Sequence, residues 1–213
     1  MIERLLKILV GSAFALTVAG CNTHTVDGEL RDLSIRYSRP SLATEDGSLF
    51  KVGSNYRTSF NTSLSRLREA GFKVISVDAA TGEIRAESNA NSLIACGRMS
   101  VGSRGNSNIF PANVELAVIE VAAGPGQSSF LRRQVGVHTT VDIRMGVVSD
   151  DDSAVYASIS QSHIVKLTLT QAADGQEVYD QTVQFLGSET RRFRRGIECG
   201  SSGEVRAIIL GNL

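Results

Sequence analysis

Gln134-Val135-Gly136-Val137-His138-Thr139-Thr140-Val141-Asp142-Ile143-Arg144-Met145-Gly146-Val147 is the stretch whose reading decides the fold. Its odd positions carry valine, threonine, isoleucine and methionine, while its even positions carry glutamine, glycine, histidine, threonine, aspartate and arginine. A two-residue period sends these sets to opposite faces of a strand. One face is buried and the other solvated, the mark of an antiparallel sheet covered on one side. The acidic run Asp150-Asp151-Asp152 turns the chain back. Val155, Ala157, Ile159, Val165, Leu167 and Leu169 then keep one parity, interrupted by Gln161 and His163. Asp174-Gly175 is a hairpin signal that leads into a third strand over residues 177–186.

Working outward, Leu33, Ile35 and Tyr37 alternate with Ser34, Arg36 and Ser38, a short strand stopped by Pro40. A polar loop is expected to about Gly53. Ser54 is then the expected N-cap of a helix whose one face carries Tyr56, Phe60, Leu64 and Leu67, and Gly71 supplies the stop. A strand over residues 72–77, a turn from Asp78 to Gly82, and Ile84 and Ala86 alternating with Glu83, Arg85 and Glu87 predict a hairpin. Residues 93–96 read as a third strand. Gly97, Gly102, Gly105 and Pro111 among serines and asparagines make residues 97–111 an expected loop, followed by a buried strand over 113–121 and a turn at Gly124-Pro125-Gly126-Gln127. Ser201-Ser202-Gly203-Glu204 has the spacing of a capping box, opening a short helix that buries Val205, Ile208 and Ile209. The predicted class is α+β, a large antiparallel sheet packed against two helices.

The N-terminus has a different character. Arg4 and Lys7 precede the apolar run Ile8–Ala19, and Val18-Ala19-Gly20-Cys21 follows directly. That run is too short to cross a hydrocarbon core of about 30 Å as a helix and suits a signal-peptide core. The order of charge, apolar core, small residues and cysteine resembles the lipobox of bacterial lipoprotein precursors. The resemblance implies cleavage before Cys21 and acylation of its thiol, with chains such as palmitate as the only membrane attachment. Residues 1–20 are then a leader, 21–28 a polar tether, and 29–213 a single α+β periplasmic domain. Asn22 stands where an aspartate would favour inner-membrane retention in enterobacterial-type lipoproteins. The expected location is therefore the bacterial outer membrane, facing the periplasm.

Composition narrows the function without naming it. The 22 Lys and Arg residues balance 22 Asp and Glu, so no electrostatic footprint for nucleic acid exists. Aromatic residues are 6% and tryptophan is absent, which disfavours carbohydrate-stacking platforms. With Cys21 assigned to lipid, Cys96 and Cys199 form an even pair, most simply a disulfide in an exported protein. Each is followed by glycine, which frees the backbone to turn beside the sulfur. A metal site or redox pair would call for closer cysteine spacing.

Candidate chemistry is sparse. His24 falls in the tether, and His138 and His163 have opposite parity across a hairpin, so they cannot share a metal. Asp150-Asp151-Asp152 lacks the spaced oxygen ligands of a calcium loop, no Gly-x-Ser-x-Gly elbow presents a nucleophile, and Gly102-Ser103-Arg104-Gly105 lacks the ending of a phosphate loop. The expectation is a protein without catalysis, metal or cofactor. Arg191, Arg192, Arg194 and Arg195 cluster near Cys199 and could dock phosphates or an acidic partner. In a strand, however, Arg191 and Arg195 would face away from Arg192 and Arg194.

Cys21, the helix closing at Gly71-Phe72-Lys73-Val74, the run Thr81-Gly82-Glu83-Ile84-Arg85-Ala86 and the Cys96-Gly97/Cys199-Gly200 pair together resemble uncharacterised proteobacterial envelope lipoproteins. More distantly, the pattern is similar to the helix-grip domains in a lipoprotein subunit of the outer-membrane β-barrel assembly machinery. Together these likenesses imply a helix-grip-like sandwich with an envelope protein partner, acting as a non-catalytic accessory module of an outer-membrane assembly. The alternative expectation is a small-ligand or lipid-binding module with a cavity between sheet and helix, where Gly146, Ala157 and Ala207 leave room.

Overall fold

The computed structural model describes residues 34–41, 47–103, 106–113, 131–147, 154–171, 174–193 and 197–212. In chain order these form β1 (Ser34–Ser38), β2 (Phe50–Gly53), α1 (Tyr56–Glu69), β3 (Lys73–Asp78) and β4 (Glu83–Ser88). A single 3-10 turn (Asn91–Leu93) leads into β5 (Ile94–Ala95), then β6 (Arg98–Ser103) and β7 (Asn106–Pro111). The long strands follow as β8 (Leu131–Val147), β9 (Val155–Gln171) and β10 (Glu177–Leu186), and the chain closes with β11 (Thr190–Arg192), β12 (Glu198–Ser201) and α2 (Glu204–Leu210).

The alternating stretch becomes β8, and its register with β9 runs unbroken from Leu131↔Gln171 to Val147↔Val155. Val137, Thr139, Val141, Ile143 and Met145 are buried while Gln134, Asp142 and Arg144 are exposed, as the period requires. The six-stranded antiparallel sheet has the order β10-β9-β8-β4-β3, with β2 also pairing β9. β2 takes the Val155–Ala157 end of β9 and β10 takes the Ser162–Thr170 end. Between them, Gly47 donates its N–H to the Ile159 carbonyl at 2.8 Å and Gly187 donates to the Gln161 carbonyl at 2.9 Å.

One face of this sheet carries two hydrophobic clusters. Near the closed end of the β8–β9 hairpin, Ile84, Val141, Ile143, Met145, Ala157 and Ile159 pack under Phe60 and Leu67 of α1 and Val205, Ile208 and Ile209 of α2. Near its open end, Val137, Val165, Leu167 and Phe185 pack under Met99, Val101, Ile94, Phe193 and Cys199. The second cluster is covered by two three-stranded sheets, β1-β6-β7 and β11-β12-β5, rather than by helix. The α+β class with two helices on one face therefore holds, and the helices cover half of that face.

Several local expectations change. The helix is capped by Asn55, whose side chain accepts from the Thr58 N–H at 2.9 Å, one residue after the expected Ser54. Residues 50–53, expected as loop, form β2 because the sheet edge supplies hydrogen bonds that local sequence does not advertise. Residues 97–111, also expected as loop, form the β6–β7 hairpin. Met99 and Val101 alternate with Arg98 and Ser100 and are fully buried, a short period hidden among glycine and serine. Of residues 93–96, only Ile94 and Ala95 are extended, and they pair with β12 instead of β4. Gly203, with φ 79°, occupies the α2 cap without a side-chain bond, and Ser202 Oγ accepts from Glu204 N–H at 3.2 Å, so no capping box forms. The expected strand at 113–121 and the Asp150–Asp152 turn lie outside the described residues, apart from Asn113, which sits in a turn.

Cys96 and Cys199 form a disulfide with Cα atoms 4.0 Å apart. It ties the residue after β5 to β12, strands that already pair, and so fastens the small sheet over the second cluster. Its action on the final helix is indirect, since α2 begins five residues after Cys199, beyond the end of β12. Gly97 has φ 74°, and a side chain there would place Cβ 2.0 Å from the Ser38 carbonyl oxygen. The glycine lets β1 pass close beside the disulfide. Replacing both cysteines by alanine is expected to lower unfolding free energy by up to about 4.7 kcal/mol, the chain-entropy value for a loop of this size. Urea titrations of the two proteins in parallel would read that difference.

Candidate functional site

The parity break at Gln161 and His163 is a polar seam between the two clusters. Thr139 and His163 are directly opposite in register and both fully buried. His163 Nδ1 lies 2.9 Å from Thr139 Oγ1. Gln161 and Ser201 continue the seam, with Ser201 Oγ donating to Gln161 Oε1 at 3.5 Å. The Phe185 ring sits 5.0 Å from the imidazole, centroid to centroid. Among the described residues, His163 Nε2 has no hydrogen-bond partner. Burial in this setting lowers the imidazole pKa to about 4, so the ring is neutral. It is a fixed hydrogen-bonding group in a desolvated strip.

The other expected site residues are dispersed. His138 lies on the opposite face, 3.0 Å from Asn89 Oδ1, and shares nothing with His163. Arg191 and Arg192 are exposed on β11, each beside a carboxylate. Arg191 Nη2 is 3.6 Å from Glu189 Oε2 and Arg192 Nη2 is 3.3 Å from Glu198 Oε2. The Arg192 hydrogen bond holds the Glu198 carboxyl below the usual range. Arg194, Arg195, His24 and Cys21 lie outside the described residues. Among the described residues, no group of three histidine, cysteine or acidic side chains could hold a metal ion.

A concavity lies elsewhere, on the face that no described helix covers. It measures about 610 Å³ and crosses four strands of the main sheet. Register aligns its floor in two transverse rows. Ser76, Arg85, Asp142 and Ser160 stand side by side on β3, β4, β8 and β9. Two residues along β4, β8 and β9, Glu83, Arg144 and Ser158 form the second row. Arg85 Nε meets Asp142 Oδ1 at 3.2 Å and Arg144 Nε meets Glu83 Oε1 at 3.2 Å. The four charges alternate in sign both across and along the strands. Gly82 anchors this end of the sheet. With φ 76° it accepts from Met145 N–H at 2.9 Å, and a Cβ there would lie 2.0 Å from the Met145 carbonyl oxygen.

The two-residue period puts Glu83, Arg85, Asp142 and Arg144 on solvated faces without saying which of them are neighbours. Their wet parity was visible; which strand lies beside β4 was not. Gly146 also lies on this open face and is exposed, so it adds no room on the helix side, while Ala157 is fully packed in the first cluster.

The seam gives the fold a defined pH dependence. An unfolded histidine titrates near pH 6.5 and His163 near 4, so protons bind the unfolded chain first as pH falls. Stability contributed by the neutral ring is complete above pH 6.5 and declines below it, by about 2 kcal/mol at pH 5. The depressed carboxyls of Glu87 and Glu198 act in the same direction but only at lower pH. The double variant Thr139→Val/His163→Leu removes both polar partners and should abolish the loss between pH 6.5 and 5, as urea midpoints across that range would record. Comparison of the chain with family profiles, with curated proteins and with solved structures finds no match.

Proposed function

We propose that this chain is a lipid-anchored bacterial envelope lipoprotein acting as a non-catalytic interaction module of an outer-membrane assembly. The observation that carries the reading is the run Val18-Ala19-Gly20-Cys21 behind a short apolar core. The Cys96–Cys199 disulfide supports it, because such bonds persist in oxidising compartments outside the cytoplasm. Asn22 favours the outer membrane over the inner, with the domain facing the periplasm. No described helix is long and apolar enough to cross a membrane, which is compatible with attachment through acyl chains at Cys21.

A protein partner has a surface to meet. β3 is an edge of the main sheet, and among the described residues nothing pairs with its outer side. It presents Ile75 and Val77 at 47% and 42% exposure, and an open edge with apolar side chains is a template for strand addition. The second reading, a small-ligand or lipid-binding module, is favoured by the 610 Å³ concavity on the open face. That site would replace the expected cavity between sheet and helix.

Metabolic labelling with an alkyne fatty acid should mark the wild-type protein and leave a Cys21→Ser variant unmarked. Equal marking of both, or of neither, rejects the anchor. Crosslinking from a photoreactive residue at position 75 in intact cells should yield one discrete envelope partner.

A further inference from the structure

The open-face concavity contains four charges with zero net sum, and that arrangement is selective. Arg85 and Arg144 occupy one diagonal, and Glu83 and Asp142 the other. Each ion pair uses a guanidinium Nε and one carboxylate oxygen. Among the described residues, the Nη groups and second carboxylate oxygens of these pairs have no hydrogen-bond partner. The four side chains are 50–76% exposed, so they remain open to a ligand. Ser76, Ser158 and Ser160 add hydroxyls along the same floor.

A lone anion placed here meets two guanidiniums and, equally near, two carboxylates, so attraction and repulsion largely cancel. A lone cation fares the same. A molecule carrying both signs avoids this cancellation by setting its anionic group on one diagonal and its ammonium on the other. Charge-assisted hydrogen bonds form at both ends. The volume falls within the range of small-molecule sites, and a floor of charges and hydroxyls suits a polar guest.

We propose that the trough formed by Glu83, Arg85, Asp142 and Arg144 binds a small zwitterion, an ammonium joined by a short chain to a phosphate or carboxylate. This deepens the small-ligand reading and does not depend on the anchor at Cys21. Such a group can come from a lipid headgroup or from a free amino acid, and the two sources differ in the anion.

The test is calorimetric titration of the full-length chain with O-phosphoethanolamine, β-alanine, inorganic phosphate and ethanolamine, each alone. One or both zwitterions should bind about tenfold more tightly than either single-charge compound. Preference for O-phosphoethanolamine identifies a headgroup, and preference for β-alanine an amino acid. The variant Arg85→Gln/Arg144→Gln should weaken zwitterion binding about tenfold. Exposed ion pairs contribute little stability, so an unchanged urea midpoint would show that the variant still folds. Phosphate or ethanolamine binding as tightly as the zwitterions overturns the ligand class while leaving a small-ligand site in place. No binding by any compound, or undiminished binding by the folded variant, overturns the site itself.

Discussion

The pairing of β8 with β9 is the constraint on which the remaining structure depends. Seventeen residues on each strand meet without a register shift. A slip of one residue would turn every buried side chain of a strand to the solvent. With that register fixed, Val141, Ile143, Ala157 and Ile159 make a floor for the helices, while Val137, Val165 and Leu167 make a floor for the small sheets. The same register sets Thr139 against His163 and Asp142 against Ser160. Both the seam and the trough therefore follow from one alignment.

The seam divides what would otherwise be a continuous apolar stripe. Burying hydroxyl, amide and imidazole groups costs free energy unless they bond to one another, and here Thr139 with His163 Nδ1 and Gln161 with Ser201 offset part of that cost. Placing polar groups opposite one another also penalises alternative registers, in which they would face isoleucine or valine. The polar strip thus adds specificity to a hairpin whose apolar residues, mostly valine and isoleucine, resemble each other closely.

Much of this was legible in the residues themselves. Alternation located β8, β9 and β4, and helical spacing located α1, because both periods report burial directly. Asp174-Gly175 and the turn closed by Gly82 were readable because each demands a particular backbone. Partner choice was not readable. β2 and the β6–β7 hairpin are extended because a neighbour accepts their hydrogen bonds, and that neighbour is far away in sequence. The same reason concealed the trough. Glu83 and Arg85 announce a solvated face, but the crossing to Asp142 and Arg144 exists only once β4 lies beside β8. Arg191 and Arg192 illustrate the opposite case, in which a cluster conspicuous in sequence meets Glu189 and Glu198 in space.

The β5–β12 ladder joins Ile94 and Ala95 to Ser201 and Gly200, strands separated by most of the sheet in sequence. Pairings this distant in sequence require long loops to close before any contact forms, and such topologies fold slowly, over milliseconds to seconds. The second cluster must therefore wait for the C-terminal residues to arrive. Until they do, Met99, Val101 and Phe185 lack their lid, and the unfinished molecule is at its most adhesive. Sulfur oxidation then acts as the latch that ends this vulnerable interval.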